Sequence, residues 1–240
     1  MKRTQIAQGH TNVSYRVGKH FVQEKVHNGL NHLSSYDGLA QFAFVPQLIA
    51  NNDRESTWIW IDGQALVNPS DADLQQLAKI LHQIHNSDLQ LAPFLIKKRI
   101  VTYRKIYNAK RIRIPIMEAV YRKVNLILKH MDKSTPIHGD LWHQNLLKTA
   151  SNQLYLIDWE YSHMGDRHFE LAYIIEAYDM TPAQEAVFLE AYADYHPAFL
   201  AKHKLLVHYL TILWLYTFDH LPFSPQRSIR RLEELYPIAK

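Results

Sequence analysis

The segment Pro136–Ser162, PIHGDLWHQNLLKTASNQLYLIDWEYS, constrains this chain more than any other stretch. Two short apolar runs, NLLK and LYLID, flank the turn-rich TASNQ, which is the pattern of a β-hairpin. A hairpin returns its far end to its origin, so Asn145, opening the first strand, and Asp158, closing the second, must come near each other. Asp140 lies five residues before Asn145 and is held at the same end. Three oxygen-bearing side chains therefore converge on one end of a ribbon whose apolar body fixes them. Capping aspartates on a polar-ended hairpin would account for any one of these residues alone. They do not account for the whole set, H-G-D-x-x-x-x-N followed after a hairpin by I-D-W-E.

The set fits a definite chemistry. Mg²⁺ binds through one or two carboxylates and fills its other positions with water and phosphate oxygens. A carboxylate left outside that shell is free to accept a proton. Phosphoryl transfer needs this division of labour, with a metal on the phosphates and a base on the attacking hydroxyl.

Composition narrows the alternatives. The 240 residues, 47% hydrophobic and 21% charged, suit one large folded domain or two small ones and argue against disorder. The absence of cysteine excludes a disulfide framework and thiolate metal sites. Among the 15 histidines, His82 and His85 share a helix and His138 and His143 flank Asp140, but nothing supplies the third ligand of a zinc site. No apolar run approaches the roughly 20 residues of a membrane span, and the N-terminus MKRTQIAQGHTN has no apolar stretch behind its basic start. A cytoplasmic protein, with neither membrane nor nucleic acid as partner, is the expectation. The net charge of +4 concentrates in IKKRIVTYRKIYNAKRIRIP, Ile96–Pro115. That stretch reads as a solvated helix face or as a field drawing in an anion such as a nucleotide phosphate.

The first third of the chain carries short, alternating, aromatic and β-branched runs: VSYRVG, HFVQEKV and STWIWIDG. One short helix fits GLNHLSSYDGLAQFAF, ending near VPQLIA. From Ser70 the pattern becomes helical, first in SDADLQQLAKILHQIHNSD with Leu74, Leu77, Ile80, Leu81 and Ile84 on one face. Further helices fit MEAVYRKVNLILKHMD, ELAYIIEAYD, TPAQEAVFLEAYADYH and HKLLVHYLTILWLYTF. The division is a strand-rich part over residues 1–65 and a mostly helical part over 66–240 that carries the hairpin.

IHGDLWHQNLL followed by LIDWEYS resembles the catalytic and metal-binding segments of the aminoglycoside phosphotransferase and choline kinase superfamily. Within it, LIDWEYSHMGDRHFELA is most similar to the thiamine kinase and choline/ethanolamine kinase branches. The resemblance implies an α+β, protein-kinase-like fold with a small β-rich N-lobe and a larger helical C-lobe. It implies ATP and Mg²⁺ as cofactors, Asp140 as the catalytic base, and Asn145 and Asp158 as the metal ligands. His138 would hold the loop, and Glu160 would lie near the metal or the acceptor. Asp166 and Glu170 are further acidic candidates, although a helix N-terminal carboxylate accounts equally for Asp166. The phosphate-covering loop falls in AQGHTNVSY, with Asn12 and Ser14 as its contacts. The strand cation falls in HFVQEKV, where Glu24 stands at the expected place and Lys25 is the one lysine. No glutamate follows to pair with it, Asp37 being a poor substitute. The acceptor pocket would be aromatic, drawn from Tyr173, Tyr178, Tyr209, Trp214, Tyr216 and Phe218, with Trp214 the candidate ring against a cationic alcohol. Packing of those rings in a core is the plainer account of most of them. The implied reaction is transfer of the γ-phosphate to a small nitrogenous alcohol such as thiamine or choline. An amino-sugar or aminoglycoside kinase, or a pseudokinase-like nucleotide-binding module, are the alternatives.

Overall fold

The computed structural model of the chain describes residues 2–6 and 11–238. The small lobe is an antiparallel sheet of β1 (Thr4–Ile6), β2 (Val13–Val17), β3 (His20–Glu24), β4 (Leu48–Asn51) and β5 (Glu55–Ile59), in the order β1-β2-β3-β5-β4. Strand alternation sets its faces. On β3, Phe21 and Gln23 turn to the cleft below the sheet. The short helix expected between β3 and β4 is a 3-10 turn, Asp37–Gln41, that delivers Leu39 to the core. Gly38 sits within it and weakens any longer helix. LIA, read as the end of that helix, is part of β4 instead.

Gly63–Ala65 forms β6, which no longer pairs with the small-lobe sheet. Its partner is β8 (Leu146–Thr149), with Gln64 opposite Lys148. The chain has crossed into the large lobe by this point. There α1 (Asp71–His85) starts at a Ser70–Asp73 capping box and buries Leu74, Leu77, Leu81 and Ile84. Two helices follow, α2 (Ile96–Ala109) and α3 (Pro115–His130), the second with proline in its first turn. The basic stretch is thus helical as far as Ala109, yet it is not all solvated: Ile96, Arg99, Ile100, Tyr103 and Tyr107 form its buried stripe.

The hairpin is present as expected, β8 paired with β9 (Leu154–Leu156) in the register Leu146↔Leu156. A second small pair joins β7 (Thr135–Ile137) to β10 (His163–Gly165), so the strands before and after the catalytic segment are tied together. The remaining elements are α4 (Arg167–Ala177), α5 (Pro182–Tyr192), α6 (Pro197–Leu215) and α7 (Gln226–Leu235). Helix α6 is the hub of this lobe, with α2, α3, α4 and α7 packed around it, and this explains why nearly all its side chains are apolar or buried. Among the described residues no helix is long and apolar enough to cross a membrane.

Candidate active site

Between the lobes lies a cleft of about 890 Å³ whose walls include Asp140, Asn145, Asp158 and Glu160. The hairpin closes as its pattern requires. The Ile157 amide donates to the Asn145 carbonyl at 3.0 Å, bringing Asp158 beside Asn145. Asp158 leaves the strand with φ 63°, a left-handed conformation that aspartate tolerates better than most residues. Asn145 Nδ2 donates to the Asp140 carbonyl at 2.8 Å and to its Oδ2 at 3.2 Å. With its amide nitrogen committed, Asn145 has Oδ1 as the atom able to ligate a metal. Tyr173, from α4, donates its hydroxyl to Asp140 Oδ1 at 2.9 Å. The Asp140 carboxylate is therefore held on both oxygens while its side chain remains only half-buried.

Beneath Asp140 the backbone is clamped. Gly139 has φ +79°, and a Cβ there would sit 2.6 Å from the Tyr161 carbonyl oxygen, so no other residue fits. Its amide donates to Glu170 Oε1 at 2.7 Å, and the His138 amide donates to Glu170 Oε2 at 3.2 Å. Glu170 is fully buried and also meets His85 Nε2 at 3.0 Å, while His85 Nδ1 meets the Tyr192 hydroxyl at 2.8 Å. A polar chain through α5, α1 and α4 thus ends on the amides preceding Asp140. His138 is neutral through burial, and its Nε2–H donates to the Ile157 carbonyl at 2.9 Å, linking the loop to the strand that delivers Asp158. Its ring lies 4.6 Å from that of Trp159.

The small-lobe wall is built differently. Gln23 Nε2 donates to Asp158 Oδ1 at 3.1 Å, the one direct reach of β3 to that carboxylate among the described residues. Lys25 does not line the cleft: its Nζ binds Asn51 Oδ1 and the Asn52 carbonyl, both at 2.7 Å, at the outer turn of the sheet. Glu24 points to Arg3. Asn12 and Ser14 do line the cleft, with Asn12 Oδ1 accepting from the Val26 amide and meeting His32 Nε2. Ala7, Gln8, Gly9 and His10 of the expected phosphate-covering loop lie outside the described residues. Glu160, also a cleft residue, accepts from Asn31 Nδ2 at 2.7 Å and has His32 Nε2 at 3.3 Å.

Three acids share this space, and the strain between them is visible. Burial, reinforced by the Asp140 charge and opposed by the Gln23 hydrogen bond, pushes Asp158 up to about 6. Burial and then the Asp158 charge push Glu160 up to about 8, while burial lowers His32 to about 4, so both partners of the Glu160–His32 contact are driven toward their neutral forms. Buried like charges that resist ionisation are what a divalent cation relieves. Among the described residues no three acidic or histidine side chains could cage a metal by themselves. One carboxylate and one amide oxygen, completed by water and phosphate, is the donor set that suits Mg²⁺, and the site fits it.

Beyond Asp140 the cleft runs into a pocket bounded by Trp142, Tyr173, Glu176, Trp214 and Phe223. Of the aromatic candidates, Tyr173 and Trp214 reach it, whereas Tyr209 is buried against Arg104. Glu176 and Phe223 were not foreseen. Asp166 does not line the cleft. It caps α4, accepting from the His168 amide and the Asp132 amide, each at 2.8 Å. Helix capping is its role here.

Residues 4–203 match the phosphotransferase enzyme family. Among known proteins the chain is similar to a LicA homolog of Mycoplasma capricolum subsp. capricolum, 39% identical over 225 residues that make up 92% of each chain. Its fold is similar to that of choline kinase LicA from Streptococcus pneumoniae, with a TM-score of 0.78 at 21% identity over 98% of this chain and 94% of that one. A LicA structure in complex with AMP superposes with a TM-score of 0.76 at 19% identity, over 100% and 92% of the two chains. The chain belongs to the phosphotransferase enzyme family, as a small-molecule kinase on the two-lobe, protein-kinase-like fold.

Proposed function

We propose that this kinase transfers the γ-phosphate of ATP, with Mg²⁺, to the hydroxyl of a small cationic nitrogenous alcohol, choline-like before thiamine-like. One observation carries the reading: Asp140, held by Tyr173 and Asn145, stands between an acidic metal-side pair and an aromatic pocket. Asp140 accepts the proton of the acceptor hydroxyl as its oxygen attacks the γ-phosphorus. Tyr173 and the Asn145 amide keep the carboxylate aimed, and the Glu170 clamp prevents its backbone from drifting. Asn145 Oδ1 and Asp158 would hold Mg²⁺, which supplies charge neutralisation on the phosphates. Asn12 and Ser14 face the nucleotide side, and Glu160 lies between it and the base.

The pocket supports a cationic acceptor through its rings more than through bare charge. Trp214 lies edge-on to Phe218 at 4.9 Å and 6.1 Å from Phe223, forming an aromatic wall. Glu176 is already engaged by His208 Nε2 at 2.8 Å and Arg231 at 2.8 Å. Cation–π contact is accordingly the main recognition term. The choline-like preference is supported by the relatives named for choline kinase LicA.

Purified protein given ATP, Mg²⁺ and choline, ethanolamine, thiamine or an aminoglycoside tests the reading by the phosphorylated product formed. Choline should give the highest kcat/KM; nucleotide binding without phosphorylation of any alcohol would overturn it. A non-catalytic nucleotide-binding module is the second reading, favoured by the missing strand cation. It predicts that Asp140→Asn leaves the protein's biological role intact.

A further inference from the structure

Arg99 is a cation buried without a counter-ion. It projects from α2 into the wall of the cleft, is 4% exposed, and lies with Asp140, Tyr161 and Tyr173 along that wall. Among the described residues its one hydrogen bond is from Nη1 to the Gly139 carbonyl, at 3.2 Å. Its Nε–H is buried with no acceptor, and it takes part in no ion pair among the described residues. The guanidinium plane is backed by the Tyr161 ring, 4.6 Å from Cζ to centroid. Other sheltered arginines are satisfied: Arg104 by Glu118 at 2.7 Å, Arg231 by Glu176 at 2.8 Å, and Arg167 by Asp194.

A guanidinium carries five N–H donors and does not lose its charge in a protein. Leaving such a group dry and unpaired is strongly unfavourable. The fold nevertheless builds it in, on the stripe that α2 otherwise fills with isoleucine and tyrosine. Burial opposes its charge, and the Tyr103 and Asp140 oxygens favour it, yet neither neutralises it by contact. The missing partner is an anion that arrives. Of the cleft's own anions, Asp140 acts on Arg99 only through space, and the small lobe places Gln23, rather than a cation, against Asp158.

We propose that Arg99 is the phosphate-holding cation of this kinase, donating to the oxygens of the phosphoryl group as it moves from nucleotide to acceptor. The inference rests on the kinase reading above. In that reaction the acceptor oxygen bonds to the γ-phosphorus, the bond to the β–γ bridging oxygen breaks, ADP leaves, and the hydroxyl proton goes to Asp140. Negative charge sits on the transferred phosphoryl oxygens throughout, and a planar fork with spare donors matches them better than an ammonium would. The helical lobe thereby supplies from α2 what the strand of the small lobe does not.

Calorimetric binding of AMP and of a non-hydrolysable ATP analogue, with Mg²⁺, to wild type, Arg99→Met and Arg99→Lys tests this. Arg99→Met should bind AMP within about two-fold of wild type and the triphosphate analogue at least about ten-fold more weakly, the equivalent of one charge-assisted hydrogen bond or more. Arg99→Lys, which keeps the charge and loses the fork, should fall between, and it carries the comparison if Arg99→Met does not fold. An unchanged ratio of analogue to AMP affinity in the folded variants overturns the assignment and leaves the kinase reading intact. Wild-type protein that binds neither nucleotide overturns both.

Discussion

The two walls of the cleft are made on different principles. The large-lobe wall is a buried, mutually hydrogen-bonded set in which Asp140 is held by Tyr173 and Asn145, and its backbone by Glu170 and, through it, His85. The small-lobe wall offers short side chains and amides, Asn12, Ser14 and Gln23, while Lys25, just past the end of β3, is spent on Asn51 and Asn52. The contrast teaches where tolerance lies. On the proposed reading, acid–base geometry must be held to a fraction of an ångström, which packed helices and a hairpin supply. Nucleotide contact, on the same reading, can be shared among several weak donors, so a sparse sheet can make it.

The comparison breaks most visibly at the base. Asp140→Asn should lower kcat by about 10²–10⁴-fold, the range for a lost general base, with nucleotide affinity within about two-fold. Steady-state turnover beside calorimetric binding reads both. Equal losses in the two would place Asp140 on the nucleotide side instead. Removing the clamp comes next. Glu170→Ala strands the His138 and Gly139 amides and His85 in the interior, so stability should drop by roughly 3 kcal/mol, with kcat reduced as well. Chemical denaturation and turnover measure this, and Glu170→Gln should recover part of each.

Acid should strike the large lobe through Glu176. Burial opposes its ionisation, but His208 and Arg231 outweigh it and hold the carboxyl down at about 2. Its folded-state value is depressed, so the stability it contributes is complete above its unfolded value near 4.5 and is lost as pH falls toward 2. The expected loss is on the order of 3 kcal/mol at most. Thermal melts between pH 6 and pH 2 should therefore be flatter for Glu176→Gln than for wild type.

Smaller effects sharpen the contrast. Trp214→Leu should raise KM for a cationic alcohol about ten-fold with nucleotide affinity unchanged, as expected for one lost cation–π contact. On the small-lobe wall, Gln23→Ala should weaken Mg²⁺–nucleotide binding a few-fold, about one hydrogen bond to a charged group. Lys25→Met should change it less than about two-fold, since that Nζ is bound at the outer turn. A larger loss for Lys25→Met than for Gln23→Ala would reverse the assignment of that wall.

Much of this was legible in the sequence, and unevenly so. The hairpin could be read because its strands and turn are local, and local pairing fixes which residues meet. Helices α1 and α5 were legible from their capping residues and apolar spacing. The acids and rings of the pocket were less so, because which side of a buried helix faces a cavity depends on neighbours far along the chain. Glu176 and Trp214 reach the pocket through the packing of α4, α6 and α7. Gln23 shares a face with Phe21 by strand alternation, whereas Lys25 falls past the end of β3, a boundary the sequence pattern does not mark. Arg99 left a signal too: it occupies an apolar-stripe position between Ile96 and Ile100, where a charged residue has no reason to be if the helix merely packs.

The most direct test is a crystal structure with Mg²⁺ and a non-hydrolysable ATP analogue. The account predicts metal within about 2.0–2.1 Å of Asn145 Oδ1 and an Asp158 oxygen, and Asp140 unliganded and facing the pocket of Trp142 and Trp214. A metal ligated by Asp140, or a terminal phosphate beyond reach of all three side chains, would contradict it.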